Sequence, residues 1–256
     1  MSTIDERRER ASTGVALRDG EEEWRDGFAR PRVFLTPIAA PSALGLAGFS
    51  VATAMVAIVQ AGWLGSTAQW PVIGLFAMMF GGLAQFMAGM WSYRARDAVA
   101  TVAHGMWGAF WMAFGILSIL ILTGQVAAPA PGHSNYALGF WFFGLAYMTA
   151  ITAIAATFDN AGIAVVLWTL AAGSALTAAG WFQSGVGGGW LHIGGWLFVA
   201  SAASAAYMVM SMLFVAATGR TILPVGHFKK AANVPGGKPI EPIELGWAEP
   251  GVKQGQ

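Results

Sequence analysis

The chain has no cysteine. That removes disulfides, thiolate metal sites and thiol nucleophiles, and it leaves the redox compartment unmarked. Charge is nearly as scarce, at 11% of 256 residues. Between Phe34 and Arg220 the only acids are Asp97 and Asp159, and the only bases besides histidine are Arg94 and Arg96. Such an interior holds no nucleophile with a base, no carboxylate cluster and no phosphate loop, so an enzyme, a metal centre, a resident cofactor and a nucleic-acid partner are not expected.

What fills the chain is apolar: 56% of its residues are hydrophobic, with 34 Gly and 12 Trp. This is too greasy for a soluble domain of this length. A bilayer core takes roughly 20 apolar residues per helix. Six such stretches are present, at about 43 to 62, 71 to 91, 99 to 122, 137 to 157, 161 to 182 and 191 to 217. They are too long for barrel strands. The expected fold is an all-α integral membrane protein of six transmembrane helices.

All 14 Lys and Arg lie before Val33, in the turn S92-Y-R-A-R-D97, or from Arg220 onward. The loops after the first, third and fifth stretches carry none. Under the positive-inside rule both termini and the SYRARD turn are cytoplasmic. Trp63, Trp70 and Trp190 then fall at the outer interface, as an aromatic belt would. No short apolar core behind a basic start opens the chain, so no cleaved signal is expected. Residues 1–40 read as a cytoplasmic arm, partly disordered or lying on the membrane surface, 41–226 as the membrane domain, and 227–256 as a flexible cytoplasmic tail.

Inside the spans no carboxylate sits at mid-depth to relay protons, and no fixed positive charge awaits an anion. Polar groups there include Gln60, Gln85, Thr101, His104, Tyr147, Thr149, Thr152, Ser201, Ser204, Tyr207 and Ser211. His104 and His192 differ in depth by roughly 20 Å on straight helices, too far to share one iron. Each reads first as a packing histidine and second as a substrate or proton contact. Glycines recur at helical spacing: Gly45 and Gly48; Gly81, Gly82 and Gly89; Gly105 and Gly108; Gly173 and Gly180; Gly194 and Gly195. Small residues let helix backbones approach where the hydrophobic effect gives no help.

Five blocks in order, ALGLAGF (Ala43 to Phe49), GGLAQFMAGMWSYR (Gly81 to Arg94), GAFW (Gly108 to Trp111), HIGGW (His192 to Trp196) and GRTILPVG (Gly219 to Gly226), resemble the acetate uptake transporter family, which includes the succinate/acetate permeases. The resemblance spans about residues 40 to 226. It implies a six-helix subunit with its own pathway, a homo-hexamer in the cytoplasmic (inner) membrane, and transport of acetate and similar small monocarboxylates, in some members succinate. It also implies an apolar constriction at Phe49, Trp107 and Leu170, the last placed by spacing back from Gly180 with Ala171 as the alternative. Phe49 lies 8 residues after Pro41, Trp107 10 after Asp97 and Leu170 10 after Asn160. All three are thus expected at one level, about 12 to 15 Å from the cytoplasmic side, where a ring of large apolar groups gates by dewetting. Ser42, Leu46, Gln85, His104 and His192 are the expected pathway contacts.

The sequence departs from the family pattern at three places. Ala40, Pro41, Ser42 and Ala43 stand where relatives carry an Asn-Pro pair and a second proline. Ser92 stands where glutamate is common, and Trp107 where tyrosine is. The charge-free interior suits passage as anion channel or proton symport. Two other readings fit the residues: a pore for a neutral solute such as acetamide, urea or ammonia, and a non-transporting scaffold.

Overall fold

The structure is a computed structural model that describes residues 38–63 and 69–226, with the backbone of Arg32–Val33 and Ile243–Glu244. Among the described residues, six helices are long and apolar enough to cross a membrane: α1 Pro41–Gln60, α2 Trp70–Arg94, α3 Ala98–Leu122, α4 Tyr136–Ala156, α5 Ala161–Gln183 and α6 Gly189–Thr218. They match the six sequence stretches to within a few residues. Among the described residues the other regular structure is one short antiparallel pair, β1 Arg32–Val33 with β2 Ile243–Glu244, in a unit separate from the bundle. The rest of the expected arm and tail lies outside the described residues.

Helix starts follow from the sequence. Asp97, Asn135 and Asn160 are extended residues whose side chains accept from Ala100 N, Leu138 N and Ile163 N, at 2.8, 3.0 and 2.8 Å. Each satisfies one of the orphan amides of a first turn. The α2–α3 turn is tight because Asp97 serves both helices. Its amide donates to Ser92 O and that of Arg96 to Tyr93 O, closing α2, while its carboxylate opens α3. This is a Schellman closure with Arg96 in the left-handed position, φ 57°, where glycine is usual. Asp97→Ala is expected to cost about 1 kcal/mol in unfolding of the purified protein in detergent, with Asp97→Asn recovering most of it.

The helices form a ring. α1 packs on α2 and α6, α2 on α3, α4 on α5 and α5 on α6, while α3 meets α4 over a narrow seam. Small residues set the spacing. Along antiparallel α2 and α3, Gly74 faces Ser118, Met78 faces Gly115, Gly82 faces Met112, Phe86 faces Gly108 and Gly89 faces Gly105. A Cβ on Gly89 would stand 2.7 Å from Gly105 N, and one on Gly195 of α6 would stand 2.5 Å from Ala61 N. These backbones touch, as close packing in lipid requires. Ser201 Oγ of α6 donates to Val166 O of α5 at 2.8 Å, a buried bond between neighbours.

Within α2 the bonding widens to a π-helix over Met78–Ala84. Such insertions are frequent at functional sites. Here the widened turn packs its Phe80 carbonyl against Gly48 of α1, and Gly81 admits the Trp111 ring of α3. Past α6, the chain folds back: Tyr207 Oη donates to Pro224 O and Ser211 Oγ to Leu223 O, while Ala161 N and Gly162 N donate to Gly226 O and Val225 O. The GRTILPVG block thereby caps α5 from outside it.

Candidate functional site: a pathway through the ring

From the charge-poor side a vestibule of about 700 Å³ enters the ring, lined among others by Gln60, Trp70, Trp181, Leu191 and His192. Below it lies a cavity of about 30 Å³ walled by Val56, Trp70, Trp107, Phe110, Trp111, Phe114, Phe142, Trp181 and Phe198, with Thr53 and Gln60. Gln60, Trp70 and Trp181 line both spaces and form the shared wall, or neck, where the two adjoin. Gln60 is held there: its Nε2 donates to Thr177 Oγ1 at 2.7 Å and to Leu191 O at 2.9 Å. Two bonds from one nitrogen fix the carboxamide orientation.

The chamber floor is Trp107. Its indole meets Phe49 edge-on, with centroids 6.1 Å apart and planes at 78°. That geometry is favourable for aromatic pairs. Trp107 Nε1 donates to Thr149 Oγ1 of α4 at 3.0 Å, so the ring is tied across the narrow α3–α4 seam. Phe49, Trp107 and Leu170 are 2%, 3% and 1% exposed and belong to one buried cluster. Phe49 and Trp107 are therefore in contact, and Leu170 is buried in the same core.

The other expected contacts separate into two groups. His192 is exposed in the vestibule, where its Nε2 lies 3.3 Å from Trp196 Nε1 and accepts from it. Leu46, Gln85 and His104 are buried in the bundle instead. The His104 ring lies against Gly45, where a Cβ would stand 2.6 Å away. Gln85 directly follows the widened turn of α2, and its Oε1 has no hydrogen-bond partner, nor has His104 Nδ1. Ser42 is half-buried in the first turn of α1. Ser92 is fully buried, and its hydroxyl donates back to Ala88 O at 2.8 Å, a contact the longer glutamate side chain would not reproduce.

Trp70 differs from its expected role. Trp63 and Trp190 are exposed, at 53% and 43%. Trp70 instead turns inward, 4.7 Å from Phe114 in a T-shaped pair, and lines the neck. Pro71 beside it stands in the first turn of α2, which packs on α3.

Sequence reasoning passed over Thr53, Thr177 and most of the aromatic wall. One signal was available: Trp107, Phe110, Trp111 and Phe114 stand at i, i+3, i+4 and i+7, a single helix face. All four line the cavity.

This arrangement recurs in known proteins. The chain is similar to the succinate-acetate/proton symporter SatP of Escherichia coli K12, 27% identical over 192 residues, which is 75% of this chain and 97% of that protein. It is 33% identical over 138 residues to the ammonia transport outward protein 2 of Saccharomyces cerevisiae, covering 52% of this chain and 48% of that one. Among solved structures, that of the bacterial acetate channel SatP superposes with a TM-score of 0.63 at 26% identity, over 74% of this chain and 100% of the other. The six-helix fold is thus shared with the structure of that acetate channel, and with residues 29–230 matching its family pattern, the chain belongs to the GPR1/FUN34/yaaH family.

Proposed function

We propose that the protein carries acetate and similar small monocarboxylates across the cytoplasmic membrane, through the pathway within each subunit. The observation that carries this reading is the 700 Å³ vestibule and the aromatic chamber lying side by side, with Gln60, Trp70 and Trp181 common to both walls and Trp107, paired with Phe49, in the chamber lining. The lining holds no fixed charge, so a carboxylate crosses either protonated or as an anion held briefly by neutral donors. Phe49, Trp107 and Leu170 form the constriction in this reading; Ser42, Leu46, Gln85, His104 and His192 flank the route on its two sides. Residues 41–226 are the transporting unit, residues 1–40 and 227–256 its cytoplasmic arms, and the assembly is a homo-hexamer with a closed central axis.

The similarity to a named ammonia transport protein favours a second reading, a pore for a small neutral solute, although it covers only about half of this chain. Uptake of labelled acetate into liposomes containing the purified protein separates the two, with and without an inward proton gradient. Saturable uptake above empty liposomes is expected. Stimulation by the gradient would mark proton coupling, and its absence a channel. Uptake at the level of empty liposomes would reject the carboxylate reading, and labelled methylammonium would then test the other. Mass measurement of the complex in detergent tests the hexamer.

A further inference from the structure

Arg94 and Arg96 carry charge that the fold does not spend. Arg94 is the last residue of α2 and is exposed, and Arg96 stands half-buried in the turn that follows. Neither guanidinium has an ion pair or a hydrogen-bond acceptor among the described residues. Asp97, the acid beside them, gives its carboxylate to Ala100 N at 2.8 Å. The carbonyls of Trp91, Ser92 and Tyr93 are closed by the amides of Ala95, Asp97 and Arg96. The turn thus fixes two positive charges two residues apart and neutralises neither.

Below the turn runs an open apolar track. Leu83, Met87, Met90 and Arg94 recur at spacings of four, three and four, which puts them on one face of α2. The three apolar ones are 46%, 48% and 41% exposed, so the track is open along its length. Arg94 follows Leu83 by 11 residues, about 16 Å of helix, close to half of a roughly 30 Å hydrocarbon core. The stripe has the length of one leaflet and ends on a cation. Trp91 and Tyr93, exposed beside it, are residue types that collect at headgroup level.

We propose that this surface binds one anionic phospholipid, its phosphate between Arg94 and Arg96 and one acyl chain along Met90, Met87 and Leu83. Charge complementarity argues for this occupant. Positions two apart in a chain are separated by at most about 7 Å, so both long side chains reach one phosphate. The planar guanidinium matches phosphate oxygens with two parallel N–H bonds, and methionine, unbranched and polarizable, conforms to a flexible chain. A soluble phosphate would use the arginines and ignore the stripe; a second copy of this protein would use the stripe and ignore the arginines. The lipid uses both. The site is independent of what the pathway carries.

The test measures how the purified full-length protein retains phosphatidylglycerol against phosphatidylcholine of the same chains, by native mass spectrometry from detergent. Wild type is expected to prefer the anionic lipid at least about tenfold. Arg94→Gln and Arg96→Gln are each expected to weaken its retention about fivefold, and the double variant about twenty-fivefold. The double lysine variant, which keeps the charge and loses the fork, is expected between wild type and double glutamine. Arg220→Gln, on α6's far end, is expected to bind as wild type does. Phosphatidylglycerol with a diazirine in its tail should crosslink to wild type within residues 83–94, a result that needs no variant to fold. No preference in wild type, an unaffected double glutamine variant or crosslinks confined to other helices would each overturn the site. Displacement of the lipid by glycerol phosphate at equal phosphate concentration would make it a soluble-phosphate site instead. A photoreactive side chain at position 87 that joins two subunits rather than lipid would give the stripe to a second copy and overturn the proposal as well.

Discussion

The double variant Phe49→Ala, Trp107→Ala is expected to pass acetate at least about tenfold faster than wild type at saturating substrate, which corresponds to about 1.4 kcal/mol off the barrier. The two rings meet edge-on below the chamber, and together with Leu170 they are almost completely buried. As the constriction proposed above, they would oppose a polar solute because its hydration must be shed with little returned. Truncating both rings admits water and lowers that cost. Saturation should weaken as well, since release past the plug no longer limits the cycle. The single Trp107→Ala also strands Thr149, the acceptor of the indole N–H. Removing a buried aromatic costs roughly 3–5 kcal/mol of stability, so the comparison needs matched amounts of folded protein, with Phe49→Leu as the milder variant. Unchanged flux in the folded double variant would place the barrier elsewhere on the route.

The second large effect concerns the fold. Gly108→Val and Gly195→Val are each expected to abolish recovery of folded protein, or to cost more than about 3 kcal/mol. A Cβ at 108 would stand 2.6 Å from Phe86 N and 2.7 Å from Phe86 Cα; at 195 it would meet Ala61 N at 2.5 Å and Gln60 C at 2.8 Å. Those are backbone atoms, so no rotamer change relieves the clash and the helices must separate. Gly144 is the control, because nothing lies within 4 Å of a Cβ placed there. Gly144→Ala should fold as well as wild type. Size-exclusion profiles and thermal unfolding in detergent read both effects. A normally folded Gly195→Val would mean that the α1–α6 contact is looser than described.

Part of the helix geometry is legible without the structure. Counting residues from helix starts puts Phe49, Trp107 and Leu170 at one level, and two of those starts, Asp97 and Asn160, are capping residues. Phe49 and Trp107 consequently meet. Trp70 was read as an interface residue and instead lines the neck, because a tryptophan at a helix end has the same composition signal whether it turns toward lipid or toward a partner helix. Thr53 carried no signal. Threonine in an apolar helix usually bonds its own backbone, as Thr152 does to Met148 O, and only the packing shows that Thr53 has no such partner.

By itself the sequence determined the number of spans, their approximate boundaries, which turns and tails carry the basic residues, the helix starts at Asp97 and Asn160, and many of the glycines at which helices touch. These are local properties, governed by length, charge and the need of each span to satisfy its own backbone. Only the tertiary structure decided which face of each helix looks into the pathway. In water an apolar stripe marks the buried side, but in lipid the outer face is as apolar as the inner one, so the periodicity that orients soluble helices is lost. The inward faces emerged from long-range pairings instead: Gln60 with Thr177, Trp107 with Thr149, and the Trp111 ring seated over Gly81.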